Sequence, residues 1–279
     1  MQTPSAVLGC DLSHYNTVDI PTLLPKYQFI ILKASQGIGY VDPAYSARAP
    51  IIWASTTLLG AYHFGTNSNA TLQVHRFIDT IKSINNLLPC LDLETNPDTT
   101  PQSEGTMTLV TAANWVTVFH TITDKWPMIY TNASHINFLN RSTAEDVAAL
   151  AVLSQCQLWV ASEHIPPLLP DNWSTWAICQ YTTTDGIDQD IFNIGTYPDI
   201  RVFWAGKIWP TPLPAPPSTQ KTAVTTAIVR IRQSPNTTSK ILGILYSGTH
   251  VDVTGQVANE FEKLSNIEGW LHQAEIKYL

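Results

Sequence analysis

Eight short runs rich in aliphatic, β-branched and aromatic residues recur through residues 1–205, and their spacing is what most limits the fold. They are Ala6–Leu12, Phe29–Ser35, Leu58–Phe64, Leu88–Glu94, Pro127–Asn132, Gln157–Ser162, Trp176–Thr182 and Ile187–Phe192. Runs of this length and composition read as strands. Between the early runs there is room for helices. The stretch ATLQVHRFIDTIKSI carries apolar residues at Leu72, Val74, Phe77, Ile78 and Ile81, and STAEDVAALAVL opens with a Ser142-x-x-Glu145 capping box. After Ser162, EHIPPLLPDNWST holds three prolines and too little periodic sequence for a crossover helix, so loops are expected there. Helices between the first five or six strands and none among the last three predict an α/β fold of the modified (β/α)-barrel kind. Such barrels gather their chemistry at the carboxyl ends of the strands. An open doubly wound sheet would place a glycine-rich nucleotide turn after its first strand. Asp11 stands there instead.

A second region follows. Pro210, Pro212, Pro214, Pro216 and Pro217 make Lys207 to Thr222 an extended, semi-rigid spacer. Beyond it the grammar changes to AIVRIR, ILGILY and HVDVTG, broken by SPNT, SGT and EGW, which implies a small all-β barrel acting as a binding module. The expected domains are therefore 1–206, a linker at 207–221, and 222–279. The chain's net charge of −7 divides unevenly, at −8 up to residue 220 and +1 after it. An acidic first domain disfavours nucleic acid as a partner, since phosphate backbones select clustered Lys and Arg. No apolar run approaches the roughly 20 residues of a membrane helix. The opening MQTPSAVLGC has no basic stretch followed by an apolar one, so no secretory signal is read in this sequence.

The sharpest chemical feature is Asp92-Leu93-Glu94, at the end of the fourth strand. Side chains alternate along a strand, so the two acids share a face. Two carboxyls in one cleft raise the pKa of at least one, which keeps an acid protonated for donation to a leaving group. Asp11 ends the first strand and Asp188 begins the last, and closing a barrel makes those strands neighbours. Asp185 and Asp190 compete with Asp188 for that place, and each acid taken alone has a bland reading as a turn or cap residue. Tyr62, Phe64, Tyr130, Trp159, Trp176 and the pair Gln180-Tyr181 also fall at strand ends. Flat aromatic faces with a few amide and hydroxyl groups suit sugar rings, although most such residues in any barrel are core.

Other chemistries find less support. The sequence has no HExxH, no tight His/Cys cluster, no GxSxG elbow and no GxxxxGK loop. Cys10, Cys90, Cys156 and Cys179 lie in or beside apolar strands, where buried free thiols are the usual state. A Cys156–Cys179 pair stays open, as does a nucleophilic Cys90, for which no histidine is placed as activator. Asn69, Asn132, Asn140, Asn172 and Asn236 begin Asn-x-Ser/Thr sequons, which matter only after secretion by a eukaryote.

In order along the chain, GCDLSHYN, FIILKASQG, GAYHF, LPCLDLE, IYTN, LWVAS, CQYT and IDQDIF resemble glycoside hydrolase family 25, the Chalaropsis-type lysozymes or N-acetylmuramidases. The resemblance implies a (β/α)5(β)3 barrel that cleaves the β-1,4 bond between N-acetylmuramic acid and N-acetylglucosamine, with no cofactor. It implies Glu94 as general acid, Asp92 as its partner, and Asp11 and Asp188 as the other site aspartates. Tyr62, Phe64, Tyr130, Trp159, Gln180 and Lys33 are the substrate-binding set it suggests. IDQDIF departs from the family's frequent VDLN, with Asp190 in place of the Asn. The tail, through IVRIRQSPNTTSKILGILYSGTHVDV and GWLHQAEIKYL, resembles a bacterial Src-homology-3-like (SH3-like) wall-binding domain, whose partner would be wall peptide or cross-bridge. These resemblances imply a monomer acting on bacterial wall outside the producing cell, after removal of a signal or release at lysis.

Direct nucleophilic attack, water attack with inversion, and participation of the substrate's own N-acetyl oxygen all stay open. A chitinase-like barrel or glucosaminidase is the nearest rival, but its DxDxE pattern wants an acid where Cys90 stands. A non-catalytic glycan-binding protein is the rival of another class, and it has no need for costly facing acids.

Overall fold

In the computed structural model the described residues are 6–84, 86–100, 103–139, 143–170, 172–196, 199–205, 221–227, 229–245, 247–264 and 269–278. Residues 207–220 of the expected linker, Asn140 and Ser142 lie outside them, whereas the last residue of that linker, Lys221, begins a strand. The chain forms two compact units, the first carrying the barrel and the second the strands after residue 220.

The strands of the first unit are β1 (Val7–Leu12), β2 (Phe29–Gln36), β3 (Tyr40–Val41), β4 (Leu58–Phe64), β5 (Leu88–Asp92), β6 (Met128–Thr131), β7 (Leu158–Ala161), β8 (Ile178–Thr184) and β9 (Ile187–Phe192). Parallel pairing runs from β1 through β2, β4, β5, β6 and β7 to β8. The last strand, β9, lies antiparallel to both β8 and β1 and closes a mixed barrel of eight strands, with β3 as an appended hairpin strand. The reversal at β9 comes from a two-residue loop. Asp185 and Gly186 both take positive φ, at 54° and 73°, as a tight hairpin turn requires.

The helices are α1 (Ile20–Leu23), α2 (Tyr45–Trp53), α3 (Ala70–Ile81), α4 (Leu109–Thr123), α5 (Ala133–Phe138), α6 (Ala144–Leu153) and α7 (Ile200–Trp204). The α3 helix buries Val74 and Phe77 completely, the apolar pattern read from the sequence. The cap of α6 is one residue later than the sequence suggests. Thr143 accepts from Asp146 N–H while the Asp146 carboxylate accepts from Thr143 N–H, because helical geometry begins at Ala144 and the box must straddle that start. Among the described residues no helix lies between β7 and β8, where the prolines predicted a loop.

Inward-facing residues fill the barrel as a core that includes Phe29, Ile31, Leu88, Cys90, Met128, Trp159, Ile178 and Phe192. The amino end is closed by α7, whose Phe203 packs edge-on to Phe192 and whose Trp204 donates to Leu59 O at 2.7 Å. Gly9 is required here, since a Cβ would sit about 2.2 Å from the Phe29 ring. This plug leaves the carboxyl end of the barrel for a site.

The second unit is antiparallel throughout its recorded pairings. Its strands are β10 (Lys221–Thr225), β11 (Val229–Arg232), β12 (Ile241–Leu245), β13 (His250–Ala258), β14 (Phe261–Leu264), β15 (Trp270–His272) and β16 (Ile276–Tyr278), in the sheet order β12-β11-β15-β14-β13-β10-β16. Ala223, Val229, Ile231, Leu245, Val253, Leu264 and Leu271 form its core.

Candidate active site

Alternation within each strand decides which side chains reach the barrel mouth. On β5 the inward series is Leu88, Cys90 and Asp92, and the strand ends at Asp92 rather than at Glu94. Leu93 N–H still donates to Tyr130 O at 2.9 Å, so the chain stays in register beyond the strand's end. Glu94 is half-buried, while Asp92 is 5% exposed with its Oδ1 without a hydrogen-bond partner among the described residues. Around the barrel, Asp11 pairs in register with Asp188, and Asp92 lies between Phe64 and Tyr130.

A hydrogen-bonded chain links three strands. Tyr130 Oη donates to Gln180 Oε1, and Gln180 Nε2 donates to Asp11 Oδ2, both at 2.8 Å. Asp188, half-buried on β9, accepts from Thr183 Oγ1 at 2.6 Å. Lys33 is the cation of the cluster. Its Nζ donates to Gln36 Oε1 at 2.7 Å and lies 4.8 Å from the centre of the Phe64 ring. Trp159 sets its edge against Tyr130 at 4.6 Å and stands 6.3 Å from Tyr62. Trp159 and Phe64 are closed off from solvent and back the cleft, whereas Tyr62, Tyr130 and Gln180 are half-buried and line it.

These contacts shift the titrations together. Burial drives the Asp92 carboxyl well above the ordinary range, with the Glu94 charge adding to the effect and Lys33 opposing it. Glu94 is raised by burial and then by Asp188, again against Lys33. Asp11 is raised to about 7 by burial and by the Asp188 and Glu94 charges, despite the bond from Gln180. Lys33 is lowered by burial against the pull of Asp92, Asp42 and Glu94. Burial and mutual repulsion thus push Asp11, Asp92 and Glu94 towards the protonated form, the direction a proton donor needs.

Two expected residues sit elsewhere. Trp176 precedes β8 and so belongs to the amino end, because β8 begins only at Ile178. Tyr181 falls at the register shift between Gln180 and Thr182, out of phase with Gln180. All four cysteines are buried free thiols, Cys156 and Cys179 included, and burial pushes Cys90 far from ionisation, which removes it as a nucleophile.

Three groups have partners that the sequence does not signal, although it offers Asp190 as a candidate. Asp190 is fully buried below Asp188, accepting from Trp159 Nε1 at 2.8 Å with its Oδ2 unpartnered among the described residues. Asp42 is 1% exposed and accepts from both the backbone N–H and Nδ1 of His14. Tyr40, on β3, meets His14 Nδ1 through its hydroxyl at 3.0 Å. The pairing of β1 with β2, to which β3 is joined as a hairpin, brings His14 to Asp42, and no local pattern signals it.

A closed α/β barrel with ionisable carboxyls gathered at its carboxyl end, flanked by aromatic rings and amides, is what a glycoside hydrolase presents. The model of glycosyl hydrolases family 25 matches residues 10–190, and the chain belongs to that family. It is 28% identical over 207 residues to lysozyme M1 of Streptomyces globisporus, an alignment covering 67% of this chain and 66% of that protein. The bacterial lysozyme of Streptomyces coelicolor is similar at a TM-score of 0.59 and 25% identity, over 73% of this chain and 99% of that one. The family GH25 lysozyme of Aspergillus fumigatus gives 0.57 and 25%, over 72% and 100%. The chain spans just under two thirds of the length of the curated relatives it matches.

Proposed function

We propose that the chain is a muramidase, cleaving the β-1,4 bond between N-acetylmuramic acid and N-acetylglucosamine in peptidoglycan with Glu94 as general acid. The observation that carries this reading is the Asp92/Glu94 pair, a buried carboxyl with an unpartnered Oδ1 beside a half-exposed one at the mouth of a family 25 barrel. Before substrate binds, burial favours the proton on Asp92. An N-acetyl N–H donated to Asp92 Oδ1 favours the ionised form there. Asp92 then releases its proton to solvent, and Glu94, whose carboxyl burial raises, is the donor to the glycosidic oxygen. Ionised Asp92 orients the N-acetyl group, whose oxygen attacks the anomeric carbon as the leaving group departs.

Asp11, held by Gln180, and Asp188, held by Thr183, set the charge around the water that completes hydrolysis. Tyr62, Tyr130 and Gln180 face the sugar, with Phe64, Trp159 and Lys33 behind them. Cys90 stands where a chitinase-like site would need an acid, and it is an uncharged part of the barrel core. That disfavours the chitinase reading. For the second unit, over 222–279, we propose an SH3-like role in holding wall peptide or cross-bridge. The linker at 207–221 tethers it, raising the enzyme's concentration on an insoluble polymer. The protein works as a monomer outside the producing cell.

The test is the release of reducing ends from purified peptidoglycan, identified by mass spectrometry after borohydride reduction. Reduced muramic acid from the wild type, lost in Glu94→Gln, is the expected result. Reduced glucosamine would make the enzyme a glucosaminidase, and binding without new ends would make it a glycan-binding protein.

A further inference from the structure

The barrel wall behind Lys33 holds polar groups that the mechanism does not use. Ser35, His63 and Gln73 are fully buried, and the His63 ring lies 5.6 Å from that of Trp115 and 5.8 Å from that of Phe77. Apolar side chains would pack there without the cost of pairing every polar atom. The directions of the bonds are fixed by the backbone. Gln73 Nε2 donates to Thr66 O and Ser68 O, and its Oε1 accepts from Thr66 N–H, all at 3.0 Å. The same oxygen meets His63 Nε2 at 3.2 Å, so Nε2 carries the ring proton. His63 Nδ1 is then the acceptor for the Ser35 hydroxyl, at 2.8 Å. Burial lowers the imidazole to about 3 against the Gln73 bond, with the Lys33 charge helping, and keeps it neutral.

This bond falls at the register shift between β2 and β4. Phe29 and Ile31 face into the barrel, Lys33 follows them, and a regular strand would bring Ser35 in next. Instead Lys33 pairs with Tyr62 and Ser35 with His63, two steps along β2 against one along β4. The bulge turns Ser35 outward to His63 and brings Gln36, opposite Phe64, inward. Residues three apart on a regular strand lie on opposite faces, so the bond from Lys33 Nζ to Gln36 Oε1 depends on the bulge. Lys33 is 8% exposed and is faced by Asp92 and Glu94 after β4, by Asp42 beyond β3, and by the rings of Tyr40 and Phe64. We propose that Ser35 and His63 are positioning residues, whose hydrogen bond locks the bulge that holds Lys33, through Gln36, against the Asp92 and Glu94 carboxyls. The inference rests on the muramidase reading, in which Glu94 gives up its proton. It adds that a neutral imidazole outside the mouth governs how readily that proton leaves.

The experiment follows kcat/KM against pH on soluble peptidoglycan fragments for wild type, Lys33→Met, Ser35→Ala and the double variant, with melting temperature confirming that they fold. The other charged neighbours of Glu94 are Asp11, Asp92 and Asp188, so Lys33 is the group that favours its ionised form. Lys33→Met is expected to move the alkaline limb up by about one pH unit, and Ser35→Ala to move it the same way by roughly half a unit. The double variant is expected to match Lys33→Met alone, because the serine acts through the lysine. Nitrogen-15 spectra of the wild type are expected to show His63 protonated on Nε2 across the whole profile. An unmoved limb in either single variant, shifts that add in the double variant, or a ring protonated on Nδ1 overturns the positioning and leaves the muramidase reading standing. No cleavage by the wild type overturns both.

Discussion

The two ends of the barrel are built from the same strands and have opposite chemistry. At the amino end Phe29, Phe192, Phe203 and Trp204 interlock, and the one polar atom contributed by α7's tryptophan finds a backbone carbonyl. At the carboxyl end Asp11, Asp92, Glu94, Asp188 and Asp190 gather with Lys33 as their cation, and two buried carboxyl oxygens, Asp92 Oδ1 and Asp190 Oδ2, have no partner among the described residues. The difference teaches where stability and function are kept. A closed barrel can concentrate unfavourable groups in one layer because the layers below it are packed without gaps.

The sharpest division is expected from Glu94→Gln, which should lower kcat on peptidoglycan by about 10²–10⁴, the usual contribution of a general acid, and leave the melting temperature near that of the wild type. Equal loss of activity and stability would erase the contrast between the ends. Phe203→Ala should do the reverse. Opening the plug costs about 3–5 kcal/mol in a denaturant titration, while residual folded protein keeps its Glu94-dependent activity.

Asp11→Asn probes the electrostatic cost directly. The native carboxyl is raised to about 7 from an ordinary 3.8, so the folded state binds more protons than the unfolded one between those pH values. Its contribution to stability is present below the unfolded pKa and falls away as pH rises through the folded one. Denaturant titrations should therefore show Asp11→Asn gaining on the wild type from pH 4 to pH 8, by an amount on the order of 1–3 kcal/mol. A constant difference across that range would place the cost elsewhere. The smallest effect is expected for Asp190→Asn. Burial, and then the charges of Asp11 and Asp188, push the native carboxyl well above the usual carboxylate range against the bond from Trp159, and an amide copies a neutral acid. Stability should stay within about 0.5 kcal/mol and the pH–rate profile should not move, whereas an acid limb displaced downward would mean that Asp190 carries charge.

Much of the barrel is legible in the sequence because each strand announces itself locally. The runs at Phe29–Ser35, Leu58–Phe64 and Ile187–Phe192 coincide with β2, β4 and β9 to within a residue. The antiparallel turn into β9 is a structural finding, since Asp185 and Gly186 both take positive φ there. Trp176 falls outside its expected strand because a strand's composition does not say where its pairing starts. The α6 cap lies one residue further on because Ser142 and Thr143 are both competent caps, and the helix start decides between them.

For the site, period-two alternation alone brings Asp92 and Glu94 to one face, and closure of a barrel puts Asp11 beside the last strand without choosing among Asp185, Asp188 and Asp190. The contacts of Asp190, Asp42 and His14 are not legible, since their partners come from distant strands and loops.

The sequence by itself determined the eight strands, the place of the helices and the pairing of two acids on one strand face, because these depend on residues a few positions apart. Only the tertiary structure decided that Asp188 stands opposite Asp11, that Trp159 is held by Asp190 and that Asp92 lacks a partner for Oδ1. Register around a closed barrel is fixed by pairings between distant segments, and burial, which sets the charge state of every one of these groups, exists only once those segments have met.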